Sequence, residues 1–221
     1  MTTAPPPRDT SCNATVEALV FDWDGTAVPD RDADATEIRS RVENLCRAGV
    51  HVIVVSGTHI GNVDSQLLAR PSGPGRLLMC LNRGSEVFEV TQDGPVLLSR
   101  RTATVDEDRC LDRAATLIVS HLHERGLEAR VVSKRLNRRK IDLIPEAGWE
   151  NPPKARIDDL LVAVTARLAH AGIASLADAV SLAIDAAREA GVSEPRITSA
   201  VTHVEVGLTD KYDSARWAAA G

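Results

Sequence analysis

Two aspartates stand one residue apart in the stretch LVFDWDGTAVPD, directly after a short apolar run. Burying a charged side chain is costly unless it meets a partner. One carboxylate can attack a phosphate as a nucleophile while its neighbour serves as general acid and then as general base. Carboxylates are also ligands for Mg2+. We therefore expect Asp22 and Asp24 to hold a metal ion and to act on a phosphoryl group.

The two residues near these aspartates suit the same chemistry. Gly25 permits a tight turn, and the hydroxyl of Thr26 is available to the free oxygen of the nucleophile. The alternative interpretation is that D-x-D-G is an ordinary surface turn between a strand and a helix. The elements around the motif bear on this choice.

Those elements predict an α/β fold with a Rossmann-like parallel sheet, because short apolar runs alternate with segments of helical periodicity. The predicted strands and helices, in chain order, are 18–21, 34–48, 51–55, 62–70 and 77–81. Such an alternation with short links is typical of a parallel sheet covered on both faces, and we expect 18–21 to be a fully buried strand. Ligands of these sheets bind at the carboxyl edge, where Asp22 and Asp24 stand.

The middle of the chain has a different pattern and predicts an inserted α+β unit. The run SEVFEV, an Asp-Gly turn and the run VLLS predict a hairpin. The other predicted elements are strand pairs within 127–144 and 196–206 and helices at 105–124, 155–170 and 175–190. We expect this unit to span 85–209, a core formed by 15–84 and 210–221, and a flexible tail at 1–14.

Composition favours a globular protein in a reducing compartment. The chain has 221 residues, of which 43% are hydrophobic, and its net charge of -5 gives no general attraction to nucleic acid or to an anionic membrane. No apolar stretch is long enough to cross a bilayer. The four scattered cysteines form neither a zinc nor a disulfide pattern. We therefore predict a cytoplasmic protein without nucleic-acid or membrane partners.

The motif FDWDGT resembles the first motif of the haloacid dehalogenase-like phosphohydrolases, an apolar strand followed by D-x-D-x-T. Ser56, in HVIVVSGT, resembles the second motif, and Lys211, in GLTDKYD, resembles the third. The resemblance implies that Asp22 forms an aspartyl phosphate and that Asp24 is the general acid and base. It also implies catalytic roles for Thr26, Ser56 and Lys211, and Mg2+ bound by Asp22 and by the backbone carbonyl of Asp24.

The inserted unit resembles the cap domain of the subgroup that contains phosphomannomutases and trehalose-phosphate phosphatases. Such caps select the substrate, which here implies a phosphorylated sugar or a similar small metabolite, and a hinge is expected at 82–84. The run SKRLNRRKIDL is strongly basic, and guanidinium groups suit anionic groups. A solvated basic loop is the alternative. The predicted substrate-binding residues are Gly57, Thr58, Lys134, Arg135, Asn137 and Arg138.

The fourth motif of these phosphohydrolases, an acidic pair on a further strand, does not follow Lys211. We therefore expect a core that is incomplete at its C-terminal end, an exposed strand edge and weakened Mg2+ binding. Four functions stay open. The first is a Mg2+-dependent phosphohydrolase, and the second is a phosphomutase, which differs only in the phosphoryl acceptor. The third is a catalytically impaired or truncated relative that binds a phosphorylated ligand or a partner chain completing the core. The fourth is an unrelated α/β domain with a chance D-x-D.

Overall fold

The structure is a computed structural model that describes residues 16–145 and 156–220. For residues 133, 134, 219 and 220 the description is restricted to the backbone. The flexible tail predicted at 1–14 and the first residue of the helix predicted at 155–170 lie outside the described residues.

A five-stranded sheet carries the two aspartates. Its strands are β1 (Ala18–Asp22), β2 (His51–Val55), β3 (Leu77–Leu81), β4 (Glu86–Thr91) and β5 (Gly94–Arg100). They lie in the order β1-β2-β3-β4-β5, with β1, β2 and β3 parallel and β4 and β5 antiparallel to their neighbours. Asp22 therefore stands at the carboxyl end of β1, opposite Val55 of β2.

In chain order the described helices are α1 (Thr36–Arg47), α2 (Ile60–Leu67), α3 (Val105–Glu124), α4 (Ile157–His170), α5 (Leu176–Glu189) and α6 (Lys211–Ala220). Helices α1, α2 and α6 cover the two faces of the five-stranded sheet. Val42 of α1 and Val63 of α2 pack with Val54 on one face, and Trp217 of α6 packs near Ile53 on the other. The alternation of side chains along β2 accounts for this division.

In the described part of the chain, no helix combines the length and the apolar character needed to span a membrane.

A second sheet contains β6 (Arg130–Arg135), β7 (Arg138–Asp142), β8 (Arg196–Ala200) and β9 (His203–Gly207). Its order is β6-β7-β9-β8, and every pair is antiparallel. Ile141 of β7 and Val206 of β9 share an apolar cluster with Leu111 and Ile118 of α3. Because strand side chains alternate, Lys140 and its ladder partner Glu205 lie on the face away from that cluster.

The α/β fold class is confirmed, but the burial expected for the first strand is wrong. Leu19 and Val20 of β1 are 41% and 51% exposed. Within the described residues β1 pairs only with β2, so it is an edge strand whose side chains lack a neighbour on one side.

The sheet pairing also bears on where the inserted unit begins. The hairpin of β4 and β5 was expected to belong to that unit, yet β4 pairs with β3 from Glu86 to Val90 and extends the core sheet. The division into a core of 15–84 and 210–221 and a unit of 85–209 stays a prediction, and the strand ladder favours a boundary after Arg100. The helix predicted at 62–70 runs instead from Ile60 to Leu67, because Leu68 adopts a left-handed conformation with φ of 49°.

Candidate active site

The turn after β1 holds the two aspartates at the carboxyl edge of the sheet. The backbone carbonyl of Asp22 accepts from Ala27 N at 3.2 Å, and Gly25, with φ of 88°, donates to Val28 O at 2.8 Å. Trp23 is buried beneath the turn, and its Nε1 donates to Gln66 Oε1 of α2 at 2.9 Å. The turn is therefore anchored to the core through the residue between the two aspartates.

Lys211 lies against the first aspartate although the two are far apart in sequence. Its Nζ is 2.8 Å from Asp22 Oδ1, which also accepts from Trp23 N at 3.1 Å. Both side chains remain partly exposed, at 42% and 35%. An ion pair this exposed contributes only about 0–1 kcal/mol to stability. The pairing therefore does little for folding, and a positive charge beside a nucleophilic carboxylate suits the binding of a phosphoryl group.

Ser56 occupies the equivalent position beside the second aspartate. It follows β2 and is fully buried, and its Oγ donates to Asp24 Oδ2 at 2.9 Å and accepts from Thr58 N at 3.1 Å. Arg31 Nε lies 3.9 Å from the other oxygen, Asp24 Oδ1. Asp24 is thus held from two sides, with one oxygen fixed by a hydroxyl and the other near a guanidinium.

The structure thus brings Asp22, Asp24, Ser56 and Lys211 together at one edge of the sheet. Thr26 is on the same turn, with an exposed side chain. The catalytic roles of these five residues stay predictions.

The loop after Ser56 joins this edge to the second sheet. Gly57 O accepts from Arg138 Nη2 at 2.6 Å, and Thr58 Oγ1 accepts from Asn62 Nδ2 at 2.7 Å. Arg138 belongs to β7, so the basic run predicted to bind substrate reaches the residue that follows Ser56. Arg135 lies near the same place and is about two-fifths exposed.

A buried carboxylate that sequence reasoning missed lies at the centre of these arginines. Glu205 Oε2 is 2.5 Å from Arg83 Nε and 3.7 Å from Arg138 Nε, and Glu205 Oε1 is 3.9 Å from Arg135 Nη1 and 3.6 Å from His203 Nε2. The signal in the sequence was HVEVG, where a glutamate alternates with two valines and must leave the opposite face of a strand. Arg83 was considered only as part of a hinge.

Burial and charge shift the pKa values of this group. The pKa of Arg138 is lowered to about 10, chiefly by burial; Glu205 opposes this shift, and the nearby Arg135 and Arg83 contribute to it. Burial also lowers the pKa of His203, to about 3, with Lys140 adding to the effect. For Glu205 burial raises the pKa, but the cations, Arg138 foremost, outweigh it and the net shift is downward. At neutral pH His203 is therefore uncharged and Glu205 is ionised.

The Asn137 side chain, predicted to bind substrate, contacts the segments before and after the β4–β5 hairpin. The Asn137 amide donates to Ser85 Oγ at 2.9 Å and to Arg101 O at 2.6 Å, and its oxygen accepts from Ala103 N at 2.7 Å. Its contacts therefore tie the β6–β7 turn to the links between the two sheets, and its role as a substrate ligand stays a prediction. The side chain of Lys134 lies outside the described residues.

Comparisons with known proteins identify the architecture that carries these groups. No family model matches the sequence, and no curated protein matches it. The structure of the Plasmodium falciparum IMP-nucleotidase is similar, with a TM-score of 0.57 and 10% identity over 90% of this chain. The C-terminal domain of the C. albicans trehalose-6-phosphate phosphatase gives a TM-score of 0.54 and 12% identity over 91% of this chain. This chain has the haloacid dehalogenase-like fold.

The resemblance seen in FDWDGT and HVIVVSGT is thus confirmed at the level of the fold. A haloacid dehalogenase-like hydrolase from B. subtilis also matches, with 16% identity over 93% of this chain and 78% of that chain, but its TM-score of 0.48 is too low to add weight. The chain spans 49% of the IMP-nucleotidase chain and 60% of the trehalose-6-phosphate phosphatase chain.

The acidic groups of this haloacid dehalogenase-like fold suit a hard cation. Within the described residues, no cluster of three or more His, Cys, Asp or Glu side chains forms a ready-made metal site. The described contacts of the Asp22 side chain all use Oδ1, which leaves Oδ2 for a metal. Mg2+ is commonly bound by one or two carboxylates together with waters and substrate phosphate oxygens. The free Oδ2 of Asp22 and the backbone carbonyl of Asp24 therefore fit a Mg2+ ion.

Proposed function

We propose that this protein is a phosphohydrolase that acts on the phosphate monoester of a small metabolite. The observation that carries the proposal is the pairing of Lys211 with Asp22 and of Ser56 with Asp24 at the carboxyl edge of the sheet. Four groups from three separate segments converge there. Their types match a nucleophile, a proton carrier and two donors for a phosphoryl group.

The proposed reaction has two steps. Asp22 attacks phosphorus, and the bond to the leaving oxygen breaks while Asp24 donates the proton that this oxygen needs. Asp24, now ionised, then takes a proton from water, whose oxygen attacks the aspartyl phosphate and releases inorganic phosphate with Asp22 restored. The ammonium of Lys211 and the hydroxyl of Ser56 stabilise the negative charge on the phosphoryl oxygens in both steps.

Mg2+ is the proposed cofactor, with the Asp22 carboxylate and the Asp24 backbone carbonyl as its protein ligands. When bound, it would neutralise charge on the phosphoryl oxygens and orient them for in-line attack.

A sugar phosphate is the proposed substrate class. Support comes from Arg138 of the second sheet, which reaches Gly57, and from the names of two similar structures, an IMP-nucleotidase and a trehalose-6-phosphate phosphatase. IMP and trehalose 6-phosphate, the compounds in these two names, are phosphate monoesters of small metabolites. A phosphomutase with the same first step and a cytoplasmic location both stay predictions.

The decisive experiment compares the wild-type protein with Asp22→Asn on a panel of phosphate monoesters in the presence of Mg2+. We expect the wild type to release phosphate and the variant to lose at least about 10³-fold in kcat, because losing a covalent nucleophile costs this much or more. Asp93→Asn, on the exposed turn between β4 and β5, is the matched control and should retain full activity. Equal release by wild type and Asp22→Asn would refute the assignment.

A second candidate function is ligand binding without turnover. It is favoured by one observation, the lack of a third acidic side chain beside Asp22 and Asp24 among the described residues. In this case no ester of the panel would be hydrolysed, whereas inorganic phosphate or an ester would still raise the melting temperature. Loss of that shift in Lys211→Ala would place the binding at the same edge of the sheet.

A further inference from the structure

Three arginines surround one carboxylate between the two sheets. Arg83 comes from the link after β3, whereas Arg135 and Arg138 come from β6 and β7, and each lies within 4 Å of Glu205 on β9. We call these four residues the arginine cluster. The cluster adjoins the candidate active site, because Arg138 Nη2 donates to the carbonyl of Gly57, the residue after Ser56.

The charges of the arginine cluster do not balance. Three guanidinium groups face a single carboxylate, which leaves two positive charges in excess. The other titratable groups nearby do not correct this, since His203 is uncharged at neutral pH and the charges of Lys140 and the adjacent Asp142 offset each other. Unpaired charge in a desolvated place is costly, and a structure tolerates it where an anion binds.

Arg138 also has donors without acceptors. Its side chain is only 4% exposed. Nη2 donates to Gly57 O, but Nε and Nη1 are buried and donate to no atom of the described residues. Glu205 Oε2 lies 3.7 Å from Nε, too far for a hydrogen bond. Buried donors are nearly always satisfied, so free N–H groups at this position indicate a missing acceptor.

We infer that the arginine cluster binds a second anionic group of the substrate, a carboxylate or a second phosphate. This inference rests on the proposed function for the first phosphate and adds a substrate class to it, phosphorylated metabolites with two anionic ends. Guanidinium groups bind carboxylate and phosphate through paired hydrogen bonds, and their planar shape fixes the orientation of the ligand. In the unliganded protein, Glu205 acts as the resident counter-ion and keeps the three arginines in place.

The test measures binding to the Asp22→Asn protein, which prevents turnover during the titration. Sorbitol 6-phosphate and 6-phosphogluconate differ in that one end carries a hydroxymethyl group or a carboxylate. Glucose 6-phosphate and glucose 1,6-bisphosphate provide the corresponding comparison for a second phosphate. By calorimetry we expect the member with a second anionic group, in at least one pair, to bind about 10–100-fold more tightly than the other member. Hydrogen bonds to charged groups are stronger than those between neutral groups. The pair that shows the preference identifies the anion.

Arginine variants assign the preference to residues. In the Asp22→Asn background, Arg138→Gln should bring the affinity ratio of the preferred pair close to one. Arg135→Gln, at a half-exposed position where folding is less at risk, should reduce the ratio as well. The matched control is Arg41→Gln, whose side chain is exposed on α1 and pairs only with Glu37 among the described residues. It should leave the ratio unchanged.

The outcomes separate this inference from the proposed function. Equal affinities within both pairs, in a protein whose wild type releases phosphate, would overturn the second anion site and leave the hydrolase intact. Tighter binding of the ligand with a second anionic group, by a protein that hydrolyses none of these esters, would support the second anion site and refute the proposed hydrolase activity. If Arg138→Gln weakened both members of a pair equally, the arginine cluster would serve only to hold the two sheets together, and the inference would be wrong.

Discussion

At the level of single residues, we expect the ion pair between Lys211 and Asp22 to affect activity much more than stability. The pair is partly exposed, so it adds little to the free energy of unfolding. Beside a phosphoryl group, however, the same ammonium would stabilise charge that develops during the reaction.

We therefore expect Lys211→Ala to lose at least about 10²-fold in kcat while its free energy of unfolding falls by about 1 kcal/mol or less. Phosphate release and urea unfolding measure the two effects. Arg41→Ala, which breaks the exposed pair with Glu37, should change neither quantity appreciably. A Lys211→Ala protein that kept its kcat would remove this residue from the proposed mechanism.

His203 gives the protein a pH-dependent stability. Burial lowers its pKa from the ordinary 6.5 to about 3, so between these values the unfolded chain binds a proton that the folded chain does not. Stability from this group is therefore fully present above pH 6.5 and is lost as the pH falls towards 3, with a slope of up to about 1.4 kcal/mol per pH unit. The lowered pKa of Glu205 adds a further loss below about 4.5.

Urea unfolding as a function of pH tests this expectation. The wild type should become steadily less stable below pH 6.5, and His203→Gln should flatten the profile between pH 6.5 and about 4.5. His170, exposed at the end of α4, supplies the control, since His170→Gln should reproduce the wild-type slope. Identical profiles for wild type and His203→Gln would mean that His203 is not buried in its neutral form.

At the level of elements, the loop between β3 and β4 is in close contact with the segment after β9. Ser85 follows β3 and Thr209 follows β9, and their hydroxyls lie 2.6 Å apart in a buried position. The Asn137 amide donates to Ser85, and the backbone carbonyl of Asn137 accepts from Leu208 N at 3.0 Å. Gly84 allows this approach, because a Cβ at that position would lie 2.4 Å from Asp210 O.

We expect Gly84→Ala to be clearly less stable than Gly94→Ala. Both glycines have positive φ, 84° and 118°, so alanine is strained at either position. Only at Gly84 does the added methyl group also meet backbone atoms, whereas at Gly94 it would enter open space. The difference in free energy of unfolding should be about 1–3 kcal/mol, measured in urea. Equal losses would show that the loop between β3 and β4 and the segment after β9 are not in tight contact.

At the level of the whole molecule, apolar packing is divided between the two sheets. The apolar cluster on α3, α4 and α5 draws its buried members from residues 111–206. The clusters on the two faces of the five-stranded sheet draw theirs from residues 23–90, with Trp217 and Ala218 of α6 packed against one of them. Burial of apolar surface supplies most of the driving force for folding, so separate clusters favour separate folding units.

A fragment of residues 101–208 should therefore fold without the rest of the chain. We expect helical circular dichroism and a cooperative urea transition, with lower stability than in the full chain because Arg83 and Gly57 no longer contact Glu205 and Arg138. The same fragment with Ile118→Asp, which places a charge in the apolar cluster, is the matched control and should not fold. A wild-type fragment without a cooperative transition would argue against the division into core and inserted unit.

The sequence by itself determined the local features of this protein. The period of apolar residues marked the strands and helices, and D-x-D-G-T after an apolar run placed Asp22, Asp24 and Thr26 on a turn at the carboxyl edge of a sheet. These inferences succeed because strand and helix periods and turn chemistry depend on residues that are close in the chain.

Only the tertiary structure decided which distant residues meet. It paired Lys211 with Asp22 and assigned the β4–β5 hairpin to the core sheet. It also placed Arg83 and Arg138 around Glu205, although these residues lie far apart in the chain and no local pattern links them. Contacts of this kind depend on strand order and on the approach of two sheets, which are settled by long-range packing rather than by neighbouring residues.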